Sequence, residues 1–118
     1  MTARCARPLT PHWKSNRTHV LDFDPPNLLN EKKVLAPPDL VITSLVSLTA
    51  TPAGAVTLAN QSVVASEITF QGRKVEPGTG VSVRLGGMNG EPFLLEAVVT
   101  LSDGETEVLQ VEVKPTGR

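Results

Sequence analysis

The side chains best equipped for chemistry lie early in the chain. Cys5, His12 and His19 follow one another with six residues between each pair, and Asp22 comes three positions after His19. A thiolate, two imidazoles and a carboxylate could in principle hold zinc. Structural zinc sites, however, draw four ligands from closely spaced pairs, and this set has neither the pairing nor a supported fourth donor. The residues read as a thiol and two imidazoles on a polar segment, with no metal site expected.

The carboxylates Glu96, Glu105, Glu107 and Glu112 gather in the last third of the sequence. General acid–base chemistry needs such groups inside a concave, largely apolar site, and no neighbouring residue suggests one. In a period of two, Glu105 and Glu107 fall in phase with Leu109 beside a turn, while Glu96 and Glu112 fall on the opposite face. That pattern suits a solvated face or a protected sheet edge. Both histidines precede residue 20 and no Gly-x-Ser-x-Gly elbow occurs, so nucleophilic hydrolysis is not expected. Gly86-Gly87-Met88-Asn89-Gly90 lacks the Gly-Lys-Ser/Thr of a phosphate loop and leads into an alternating run. It reads as a hairpin loop requiring positive φ, with Met88 and Asn89 as contact residues at its tip. The expectation is a protein without catalytic residues, cofactor or small-molecule substrate.

Trp13 is the one indole of the chain, flanked by His12 and Lys14. A large amphipathic ring in a polar segment fills a pocket, either on a partner or on its own domain. With Arg17, Leu21 and Phe23 it makes up a candidate partner-binding set.

The elements that would carry these residues are strands. Val81, Val83 and Leu85 share one face; Phe93, Leu95, Ala97, Val99 and Leu101 repeat every second residue; Leu109, Val111 and Val113 continue in phase after Ser102-Asp103-Gly104. The three runs predict an antiparallel meander. Upstream, residues 41–48 carry apolar side chains in both phases, which predicts burial on both faces over part of the run. Pro52-Ala53-Gly54, Asn60-Gln61, Gln71-Gly72 and Pro77-Gly78 break the chain into short strands, the last as a type II turn. Turns at this spacing predict an all-β fold, an immunoglobulin-like β-sandwich of about seven strands over residues 40–115.

Residues 1–39 show neither helical nor strand periodicity and contain Pro8, Pro11, Pro25-Pro26 and Pro37-Pro38. They read as an extended N-terminal arm, with Val20-Leu21-Asp22-Phe23 and Leu28-Leu29 docking on a sheet or a neighbour and a helical turn possible at 30–35. Residues 1–20 carry four bases and no acid, whereas residues 21–118 carry seven bases and twelve acids. A basic arm beside an acidic body can lie on a like neighbour. Nucleic acid fits poorly, because stacking aromatics are missing among the bases. At 118 residues the chain has one domain's length, and no apolar run of about 18 residues predicts a membrane span. One cysteine and no apolar leader after Met1 predict synthesis in a reducing cytoplasm.

Taken together these residues resemble the immunoglobulin-like phage neck proteins known as fiber-tail adaptor proteins. Trp13 precedes Val20-Leu21-Asp22-Phe23-Asp24; Ser47 to Leu58 run through Pro52-Ala53-Gly54; Gly86-Gly87 precedes the hairpin Thr100-Leu101-Ser102-Asp103-Gly104-Glu105-Thr106. The match spans residues 13–113. What the resemblance implies is a structural virion protein, located at the head–tail neck, arranged as a ring-shaped homo-oligomer and contacting portal, neck, tail or fiber proteins. A capsid decoration protein and a carbohydrate-binding surface module are the alternatives.

Overall fold

In the computed structural model, residues 2–4, 9–23, 27–29 and 33–117 are described. Cys5, Pro8, Pro25-Pro26 and residues 30–32 lie outside them, and with them the first metal candidate and half of the expected helical turn. Among the described residues nine strands follow in order: β1 (Thr2–Arg4), β2 (Arg17–Asp22), β3 (Ile42–Thr51), β4 (Thr57–Val63), β5 (Ile68–Phe70), β6 (Arg73–Val75), β7 (Gly80–Gly86), β8 (Phe93–Leu101) and β9 (Thr106–Val113). A 3-10 turn, Ala53–Ala55, joins β3 to β4. The fold is all-β. One sheet has the order β1-β9-β8-β3, a second β2-β7-β4, and β5-β6 form a separate hairpin.

The two larger sheets share one aliphatic core. Phe93, Leu95, Ala97, Val99 and Leu101 of β8 are all buried, as are Leu109, Val111 and Val113 of β9 and Val81, Val83 and Leu85 of β7. Cross-strand pairing aligns the inward rows, with Phe93 opposite Val113, Leu95 opposite Val111 and Ala97 opposite Leu109. Each Val, Leu or Phe side chain so taken out of water contributes about 1.5–3 kcal/mol before the entropy of ordering is charged against it.

Three expectations change. The meander is two elements, because β7 pairs with β2 and β4 while, of the three runs, β8 and β9 alone form a hairpin. Alternation fixes that a run is a strand, not which strand it joins, and the Gly86–Pro92 connection is long enough to cross between sheets. Nor is β3 buried on both faces, since its side chains are mostly exposed or half-buried. Register shifts between Ile42 and Ser44 and between Leu45 and Ser47 each insert a residue, so Ile42, Leu45, Leu48 and Ala50 face β8's inward row at Leu101, Val99, Ala97 and Leu95. Two bulges thus turned a period of two into a local period of three and left Val46 61% exposed.

Finally, the described part of residues 1–39 packs as an integral part of the body, not as an arm outside it. β2 runs antiparallel to β7 from Arg17 opposite Leu85 to Asp22 opposite Gly80. Leu9, Leu21, Phe23, Leu29 and Leu35 are buried in the same core as β8 and β9. Apolar residues that lacked periodicity over so short a span were still sufficient to close the sandwich.

Two of the turns follow their sequence signals. Gln71 and Gly72, with φ of 52° and 77°, make the two-residue hairpin between β5 and β6. At Pro77-Gly78, Gly78 has φ of 77° and Thr79 N–H donates to Glu76 C=O at 3.2 Å, as a type II turn requires. Asn60-Gln61 is instead a bulge inside β4, with Asn60 at φ of 54° and the register shifting between Ala59 and Ser62.

Candidate functional site

The Trp13 segment is held to the end of β9. Leu9 N–H donates to Glu112 C=O at 3.1 Å, Lys114 N–H to Leu9 C=O at 2.9 Å, Thr116 N–H to Pro11 C=O at 2.8 Å and Trp13 N–H to Thr116 C=O at 2.9 Å. Trp13 is therefore half-buried on its own domain, with the Lys14 ammonium 5.3 Å from the ring centroid. Such a cation over an indole adds about 0.5–1 kcal/mol at an exposed site.

Behind this segment a polar cavity of about 370 Å³ brings together His12, Ser15, Arg17, His19 and Gln71. His19 is buried, lies within 3.2 Å of Arg17 C=O through Nδ1, and meets Phe70 edge-on at 5.9 Å between centroids. Burial holds its pKa below the ordinary value, partly opposed by the hydrogen bond to Arg17 C=O. His12 Nδ1 accepts the Lys14 N–H at 3.1 Å. The two imidazoles thus come to one cavity, and among the described residues no group of three or more His, Cys, Asp or Glu is placed to hold a metal ion.

Of the six residues singled out for partner binding, three face inward. Leu21 and Phe23 are fully buried and Met88 is 5% exposed, all in the shared core. Their role is packing, because a side chain enclosed by its own sheets offers nothing to a neighbour. Trp13, Arg17 and Asn89 remain at the surface. Asn89 is tied locally, its Oδ1 accepting Glu91 N–H at 2.9 Å and its own N–H reaching Ala55 C=O at 3.2 Å.

The carboxylates are distributed, not convergent. Lys33 Nζ lies 3.3 Å from Asp103 and 3.9 Å from Glu105. Glu96 accepts a hydrogen bond from Gln110 Nε2 at 2.8 Å. Glu107 is buried opposite Val99.

A different surface stands out once the sheets are assembled. β3 and β4 end the two sheets on the same side of the body, joined by the 3-10 turn, and no described strand lies beyond either. Residues 40–66, which include both strands, contain no Asp, Glu, Lys, Arg or His, although the whole chain has 23 charged residues. Beside them an apolar groove of about 650 Å³ is lined by Pro37, Val41, Ile42, Val63, Val64 and Pro77, among others. Free sheet edges are usually blunted by charge, by proline or by bulges. Here the first half of β3 has its two bulges, and Ile42 N–H is taken by Gly78 C=O at 2.8 Å. From Ser47 to Thr51 the register on β8 is constant and the strand carries neither charge nor proline. The signal is present in the sequence as a 27-residue run without charge, a feature that leaves no trace in the apolar phase.

Comparison of the chain with protein-family models, curated proteins and solved structures yields no match. Its functional reading rests on the geometry and on the residues themselves.

Proposed function

We propose that this protein is a non-catalytic assembly module, a structural virion protein of a tailed phage that acts as an adaptor at the head–tail neck, linking portal or tail machinery to fibers. The observation that carries the assembly reading is the pair of open, uncharged strand edges on one side of a body that is otherwise richly charged. Open edges recognise extended partners through main-chain hydrogen bonds, and an uncharged edge offers no repulsion to a neutral strand.

The phage assignment draws on the resemblance over residues 13–113. It is supported by the strand order. An immunoglobulin-type sandwich sets strands B, E and D in one sheet and C, F and G in the other. The order β2-β7-β4 and β3-β8-β9 is compatible with that succession, with β1 added beside β9. The proposed site therefore lies at β3 and β4, with the exposed part of Trp13, Arg17 and Asn89 as secondary contacts elsewhere on the body.

The test is co-sedimentation of the purified protein with a phage neck or portal preparation, followed by light scattering of the complex. Wild type is expected to join the neck complex, and a Ser47→Glu variant to join it less. Failure to associate with any neck, tail or portal fraction overturns the phage reading. Specific glycan binding lost in Trp13→Ala would replace it with an adhesive module.

A further inference from the structure

The uncharged edge also constrains what occupies it. We infer that the Ser47–Thr51 segment of β3 pairs antiparallel with the same segment of a second copy of this chain, joining two four-stranded sheets into one across a two-fold axis. The inference rests on the reading of this edge as an assembly surface and not on the phage assignment.

Charge matching selects the partner. The far edges of the two sheets are β1, whose sequence includes Arg4, and β2, where Arg17 stands at the surface and the Asp22–Arg73 ion pair lies at the other end. The β2 edge is further covered by the β5–β6 hairpin through the His19–Phe70 contact. A head-to-tail arrangement would set the uncharged edge against charges and a covering hairpin. Among the described strands, the free edges that match β3 in neutrality are β3 and β4 themselves, and of these the last five residues of β3 keep the longest unbroken register.

The sequence of that segment is compatible with its own reversal. With the axis at Thr49, Thr49 faces the partner's Thr49, Ser47 faces the partner's Thr51 and Leu48 faces the partner's Ala50. Ser47, Thr49 and Thr51 are exposed, so the outer face of the junction becomes a row of hydroxyl pairs, a favourable cross-strand combination. Leu48 and Ala50 are half-buried on the core side, so the inner face continues the aliphatic layer across the axis. One step further out, exposed Val46 meets the partner's Pro52, whose missing N–H ends the ladder. Such a contact is isologous and closes at two copies, so a ring of subunits would have to be built through other surfaces.

The test uses the full chain with Cys5→Ser as background. Thr49→Cys on the two-fold is expected to form a disulfide-linked dimer under mild oxidation at least tenfold faster than Thr18→Cys, an exposed control on β2. By light scattering, wild type should rise from 12.6 kDa towards twice that mass with concentration. Thr49→Lys should stay at 12.6 kDa with an unchanged thermal midpoint. A wild type that remains monomeric throughout, or equal cross-linking of the two cysteine variants, overturns the inference. A monomer that still joins the phage neck removes the inference and leaves the proposed function; a dimer indifferent to neck components does the reverse.

Discussion

Asp22 Oδ1 accepts a hydrogen bond from Arg73 Nη2 at 2.8 Å, fastening the end of β2 to the β5–β6 hairpin across 51 positions of sequence. Asp22 is nearly buried and Arg73 is about one-fifth exposed, so the pair is shielded from solvent ions. The same bond clamps the small cluster of Val20, Val64 and Val75 beneath the hairpin.

Arg73→Ala is therefore expected to destabilise the protein by about 1–3 kcal/mol, because it removes a charge-assisted bond and strips a nearly buried carboxylate of this cation. Urea denaturation at low and high salt checks this. The loss should persist in high salt, unlike that of the exposed Lys74–Glu67 pair.

His19 gives the fold a pH dependence. Its pKa is lowered, chiefly by burial, so the folded protein resists protonation that the unfolded chain accepts at the ordinary value of 6.5. The unfolded state then binds more protons, and stability rises with pH. The contribution is complete above 6.5 and is lost as pH falls from there through the lowered folded value. Thermal midpoints between pH 7.5 and 5 should drop more in wild type than in His19→Gln; parallel curves would refute this.

Two glycines with similar φ should respond differently to alanine. A Cβ at Gly104, with φ of 87°, meets nothing within 4 Å, whereas one at Gly78, with φ of 77°, would sit 2.7 Å from Val41 Cβ. Gly104→Ala should cost about 1–2 kcal/mol for the left-handed backbone alone. Gly78→Ala should cost more, since β3 and its neighbouring turn must also move apart, and chemical denaturation of both variants reads the difference.

Asp103 caps the β8–β9 turn. Its carboxyl is held below the usual range first by the hydrogen bond from Glu105 N–H at 3.0 Å and then by Lys33. Lys33→Ala should therefore raise the Asp103 pKa only part of the way back, as measured by NMR titration. A complete return to the ordinary carboxylate value would show that the lysine, not the backbone, sets it.

Much of the β8–β9 hairpin was legible in the sequence because each inward residue lies two positions from the next and Ser102-Asp103-Gly104 marks the turn. The partners of β7 were not legible, since Val81, Val83 and Leu85 pack equally well in either sheet. β2 was hidden for a related reason: His19 and Asp22 interrupt the apolar pattern yet are themselves buried, His19 against Phe70 and Asp22 on Arg73. Leu21 and Phe23 then looked available to a partner, although both complete the core. Trp13 could be read either way from sequence, and its bond to Thr116 C=O ties it to this domain.

β1 lies parallel to β9, with Thr2 beside Val108 and Arg4 beside Gln110. The first described strand thus completes its sheet only after the last has been made, and β2 likewise waits for β7. A chain emerging from the ribosome cannot close either sheet early, so folding is governed by distant encounters and belongs to the slow, millisecond-to-second regime of β topologies. During that interval the Leu40–Ser66 stretch has no charge to oppose premature association, and dilution or a chaperone would favour the correctly closed body.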